Sequence, residues 1–74
     1  MRLFERQDGR LYLIEDPMRD LLGDHVVVAR RGSRYSHLGG SKTYVGATLA
    51  ALERLIIGLA TARIRHGYSE IGEP

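Results

Sequence analysis

Apolar and polar positions change their spacing near residue 46, from short apolar runs between turn residues to a three- and four-residue repeat. Ahead of that point, Arg2 to Gln7 and Arg10 to Glu15 flank Asp8-Gly9, a pair whose tolerance of positive φ suits the tight turn of a β-hairpin. Leu3, Tyr12 and Ile14 are read as part of its buried face, and Leu11 to Ile14, apolar throughout, invites cover on both sides. Asp16-Pro17 cannot extend that strand, so Met18 to Asp24 reads as a loop with room for one helical turn. His25 to Arg30 contains Val26-Val27-Val28, a β-branched run that marks the clearest strand. Arg31 to Ser41 holds three glycines and three serines and reads as a loop, with Lys42 to Val45 a short strand after it.

From Gly46 to about His66 the pattern predicts an amphipathic helix. Leu49, Leu52, Leu55, Ile56, Leu59 and Ala60 fall on one stripe, with Arg54, Gly58, Thr61 and Arg65 opposite. Gly67 suits the left-handed position after the helix, and Arg63, Arg65 and His66 complement the negative end of its dipole. Tyr68 to Ile71 then returns along the sheet or the helix. The order predicts an α+β fold, a small antiparallel sheet of about four strands packed on one C-terminal helix.

At 74 residues there is room for one domain and none for separate catalytic and cofactor-binding halves. A chain this short buries only about 60% of the surface it exposes when unfolded, which favours gain from a partner or a dimer. It has no cysteine, so neither a disulfide nor a thiolate zinc site is available. The N-terminal residues lack the apolar core of a signal peptide and no apolar run is long enough to span a bilayer, so the default reading is cytoplasmic, without a membrane partner.

Charge changes the picture. Residues 1 to 24 carry four arginines against six acids, a net of −2, whereas residues 25 to 68 carry seven bases against Glu53 alone, a net of +6. A local basic surface is what neutralises phosphates and releases condensed counterions. Ten of the eleven bases are arginine, whose planar fork suits bidentate phosphate contact. A solvated Arg-rich face is the plain alternative.

Other chemistry finds no anchor. His25, His37 and His66 lack metal-ligand spacing. Asp16, Asp20 and Asp24 do not form a calcium loop and read as turn and capping residues. Gly39-Gly40-Ser41-Lys42-Thr43 only partly matches the end of a P-loop, and no serine sits in a nucleophile elbow. We therefore expect neither enzymatic activity nor a cofactor.

The segment with a signal runs from Arg30 to Thr43. It combines Arg30, Arg31, Arg34 and Lys42 with Gly32, Gly39 and Gly40 and the hydroxyls of Ser33, Ser36, Ser41 and Thr43. Glycines let backbone N–H groups approach an anion, while arginine and serine donate from the sides. Tyr35 and Tyr44 are candidate stacking platforms, although Tyr44 reads more simply as core. The expected phosphate-binding set is Arg30, Arg31, Ser33, Arg34, Tyr35, Gly39, Gly40, Ser41 and Lys42. Gly40→Val is expected to weaken binding, by blocking close backbone approach and resisting positive φ.

The order Leu11-Tyr12-Leu13-Ile14-Glu15, Gly23-Asp24-His25-Val26-Val27-Val28, Arg31-Gly32-Ser33, Gly39-Gly40-Ser41-Lys42-Thr43, Leu49 to Ile56 and His66-Gly67-Tyr68 resembles a bacterial WGR domain over residues 10 to 68. The resemblance implies a small sheet on one helix that binds DNA, as in the break-sensing module of poly(ADP-ribose) polymerases. In that family the motif's Trp stacks on a terminal nucleotide and its Arg helps organise the contact. Arg31-Gly32-Ser33 stands at that place here; the Gly matches and the Trp and Arg do not, so end stacking does not carry over. Basic contact through Arg30, Arg31, Arg34 and Lys42 does. The expectation is thus a nucleic-acid-binding module for DNA or RNA. Its rival is a protein-interaction or scaffold module, a homodimer in one version, with Ile57 and Ile64 marking a second apolar surface.

Overall fold

The computed structural model describes residues 1–35 and 39–71. Strand β1 (Arg2–Arg6) and strand β2 (Arg10–Ile14) pair antiparallel with Phe4 opposite Tyr12. The connecting loop closes where the Gly9 N–H donates to the Arg6 carbonyl at 2.9 Å, with Gly9 at φ +89°. That left-handed glycine ends a three-residue hairpin loop, and the Asp8 carboxylate accepts from the Arg10 N–H at 3.2 Å. Phe4 is fully buried and faces the helix, so Leu3, which the pattern placed in the core, points to the other side of the sheet.

The loop predicted over residues 18 to 24 contains a two-residue strand, β3 (Met18–Arg19). Asp20 accounts for the difference: its carboxylate accepts from the N–H groups of Leu22 at 2.9 Å and Asp24 at 3.0 Å. This side-chain-to-backbone turn competes with a helical one and folds Met18 back opposite Val26.

Strand β4 (His25–Ser33) runs past the predicted end at Arg30, and strand β5 (Gly40–Gly46) starts before Lys42. Gly- and Ser-rich composition suggests a loop, but ladder pairing overrides it. Arg31 lies opposite Tyr12 of β2 and Gly40 of β5, and Gly32 lies opposite Leu11. The middle of the predicted loop, 36–38, lies outside the described residues.

Helix α1 (Leu49–Arg65) begins once the Thr48 hydroxyl accepts from the Ala51 N–H at 3.1 Å, three residues later than the pattern change at Gly46. Gly46 belongs to β5, where a Cβ would stand 3.0 Å from the Leu52 side chain, so its lack of one lets the helix close on the strand. The helix ends at His66, and Gly67 takes φ +90°. Strand β6 (Tyr68–Glu70) then pairs antiparallel with β1.

Among the described residues the result is an α+β fold: six antiparallel strands with one helix on one face, the predicted class with two further short strands. Strand β4 carries β3 and β2 along one edge and β5 along the other. The core lies between sheet and helix, where Phe4, Tyr12, Ile14, Val27 and Ala29 meet Leu52 and Ala60. Leu55, Ile56 and Leu59 are half-buried against it, whereas Leu49, at the helix start, is exposed. Among the described residues no helix or strand covers the opposite sheet face, so the cover on both sides of Leu11 to Ile14 is not found.

Candidate functional site

Strand alternation splits the predicted phosphate-binding residues between the two faces of the sheet. Arg30 points to the uncovered face and pairs with Glu15. Arg34, just beyond β4, pairs with Glu5. Its N–H also donates to the Gly9 carbonyl at 3.0 Å. Arg31 and Lys42 point to the helix side, since Arg31 is in register with Tyr12 and Lys42 with Ala29, both core residues.

The remaining members shape the hairpin. A Cβ on Gly39 would come within 2.1 Å of the Arg31 carbonyl oxygen, so this position admits only glycine without a shift of backbone. Gly40 is different: its φ is not positive, and a Cβ there would meet only the Arg31 guanidinium at 3.4 Å. The expectation that Gly40 needs a left-handed conformation is therefore not met. Ser41 is exposed opposite Arg30. The Ser33 hydroxyl accepts from the Tyr35 N–H at 3.1 Å, an intraloop role. Tyr35 is 82% exposed, its ring so close over Gly9 that a Cβ there would lie 2.4 Å away.

Arg31 and Lys42 line an open pocket of about 250 Å³ with Tyr12, Ala29, Tyr44 and, from the helix, Arg63. Among the described residues three cations and two phenols meet there, and no carboxylate lines the pocket. The pattern places Arg63 at the negative end of the helix dipole, but its guanidinium lies 4.5 Å from the centre of the Tyr12 ring and 5.5 Å from that of Tyr68. Aromatic faces attract the cation and fix its plane. The Arg63 Nε is buried with no hydrogen-bond partner among the described residues. Lys42 Nζ lies 5.1 Å from the centre of the Tyr44 ring, which is half-buried as the core reading expects.

Burial pushes the Tyr12 phenol above the usual tyrosine pKa, the neighbouring Tyr44 adds to the rise, and the positive charges of Arg63 and Arg31 oppose it. Tyr12 therefore stays a neutral O–H beside two guanidinium groups. Such a constellation attracts anions: arginine forks and phenolic donors present positive edges in a partly desolvated site, where charge interactions are screened less than in bulk water.

The chain matches no family model, no curated protein and no solved structure. The local geometry therefore carries the functional reading. Elsewhere, Tyr35 and Gly9 border a shallower depression with Glu5, Arg6, Gly67 and Ser69. There the acid is already engaged by Arg34. Among the described residues no group of His, Asp and Glu is placed to hold a metal ion, and no helix is long and apolar enough to cross a membrane.

Proposed function

We propose that this protein is a non-enzymatic nucleic-acid-binding module, for DNA or RNA, that holds the sugar-phosphate backbone against the helix-side ends of β4 and β5. The observation that carries this reading is the convergence of Arg31, Lys42 and Arg63 on one pocket that no carboxylate among the described residues lines. Arg30 and Arg34 contribute less, because each already has a carboxylate partner to give up before it can meet a phosphate. The resemblance of residues 10 to 68 to WGR domains points the same way. So does the surplus of bases in the second part of the chain.

Fluorescence anisotropy tests it, with duplex, nicked, blunt-ended and single-stranded probes at two salt concentrations. Each cation that touches a phosphate should contribute about 0.9 to the salt slope on duplex DNA. Alanine at Arg31 and Lys42 should lower that slope and weaken binding evenly across sequences, with little effect from alanine at the exposed Arg54 and Arg65. Equal affinity in wild type and the Arg31/Lys42 variant would refute the proposal.

A second reading, a protein-interaction module, is favoured by one specific observation. Met18 and Val45 flank the buried Val26 in a row on the uncovered sheet face, with Met18 57% and Val45 65% exposed, and the adjacent turn exposes Leu21 and Leu22. Ile57 and Ile64 are exposed on the helix as well. Absence of salt-dependent nucleic-acid binding together with concentration-dependent stability would favour this reading.

A further inference from the structure

We propose that the pocket between β4, β5 and α1 is a binding site for a small phosphate dianion, either inorganic phosphate or the phosphate group of a small organic monoester. This site does not depend on the nucleic-acid reading, because a free anion needs only the pocket and no extended backbone.

Charge is the first argument. Arg31, Lys42 and Arg63 line one cavity; among the described residues no carboxylate lines it and these three form none of the ion pairs. Three like charges brought together repel one another, and a doubly charged ligand relieves this better than chloride or a single carboxylate. Position is the second. Arg63 is held by two aromatic rings, at 4.5 Å and 5.5 Å, so its fork is oriented before any ligand arrives. Its buried Nε has a donor unused among the described residues, a state that proteins ordinarily relieve with an acceptor. Size is the third. About 250 Å³ exceeds a phosphate ion with ample margin, leaving space for water or for a small organic group on one phosphate oxygen. The neutral phenol of Tyr12 adds a donor without adding negative charge.

The test is thermal unfolding and titration calorimetry of the full chain in inorganic phosphate, glycerol phosphate, sulfate and chloride at matched ionic strength. Phosphate at pH 7.5 should raise Tm saturably above the chloride value, as expected for a ligand that binds the folded state. The glycerol phosphate effect should fade by about pH 5, about one unit below a monoester's second pKa of about 6, where most of the dianion is protonated, while sulfate, a dianion throughout, keeps its effect. Arg31→Ala with Lys42→Ala, both at exposed positions, should weaken phosphate binding at least tenfold while the fold persists. Arg63→Lys should also weaken it, because the charge remains but the fork is lost. Tighter binding of glycerol phosphate assigns a monoester as the ligand, and tighter binding of inorganic phosphate assigns the free ion; either supports the site. Identical Tm values in phosphate and chloride, or undiminished phosphate binding by the Arg31/Lys42 variant, would overturn it. Phosphate binding without nucleic-acid binding supports this site and defeats the reading above, whereas nucleic-acid binding with no Tm shift in phosphate over chloride defeats this site alone.

Discussion

Among single residues, the ion pairs that tie the chain's ends to the sheet set its response to pH. Arg2 donates to both carboxylate oxygens of Glu70, each at 2.8 Å, joining β1 to β6, and this hydrogen bonding holds Glu70 below the ordinary carboxylate value of 4.5. The Arg34 hydrogen bond does the same for Glu5. A carboxyl depressed by folding stabilises the native state above its unfolded pKa, and that contribution is lost as pH falls through the folded value. Stability measured by urea midpoint should therefore decline below about pH 4.5, and Glu70→Gln should shallow that decline; both groups are solvent-accessible, so the change is small. Tyr12 acts at the other end. Its raised value means that stability holds below the ordinary tyrosine pKa of 10.0 and is lost as pH rises beyond it, and Tyr12→Phe should remove that alkaline loss. At this scale the pattern names Arg31 and Lys42, which line the pocket, and leaves out Arg63, although the steps Leu52, Ile56, Leu59, Arg63 keep the helix stripe and place it on the sheet side. A cation at the end of an apolar stripe reads more readily as a dipole partner than as part of a site. Only the fold brings Tyr12 and Tyr68 beneath it.

For the elements, legibility followed the strength of local patterning. Three consecutive valines identified β4, and the Leu/Ile repeat identified α1, because each pattern is a property of the segment itself. The two ends of the β4–β5 hairpin and the short β3 were not legible as strands, and the return of Tyr68 to Ile71 along the sheet was legible only as one of two alternatives, since their order comes from ladder partners distant in sequence or from one carboxylate, Asp20. Glycine substitutions separate these contributions. Gly39→Ala should destabilise the protein by about 1 to 3 kcal/mol, the usual range for overpacking, because its Cβ would stand 2.1 Å from the Arg31 carbonyl oxygen. Gly40→Val should leave the melting temperature almost unchanged and disturb only the Arg31 side chain, so its effect should appear in ligand affinity. Helix docking is tested at Leu52, which is fully buried and packs against Gly46. Leu52→Ala should cost about 2 to 5 kcal/mol, enough to unfold a domain of this size, with a smaller loss for Ile56→Ala, where the side chain is only half-buried. An unchanged melt in Leu52→Ala would contradict the sheet–helix core.

For the whole molecule, the shape bears on self-association. The chain measures 37 × 24 × 19 Å, with a radius of gyration of 12.7 Å where a compact chain of this length would have about 11 Å. It is a two-layer slab of sheet and helix, and among the described residues no helix or strand covers the far sheet face, where Leu3, Leu13 and Val28 are half-buried and Val26 is buried between the exposed Val45 and Met18. Apposing that face with the same face of a second copy would pair like with like and bury the row from Met18 to Val45 in both copies. Charge does not oppose this, because Arg30–Glu15 on that face is an internally neutral pair. The expected outcome is a melting temperature that rises with protein concentration and a dimer mass by light scattering. Val45→Lys, at an exposed position, should return the protein to a monomer with a lower, concentration-independent melting temperature and leave phosphate binding on the opposite face intact. A monomer mass in the wild type, with a melt that ignores concentration, would remove self-association and leave that face free for a different protein partner.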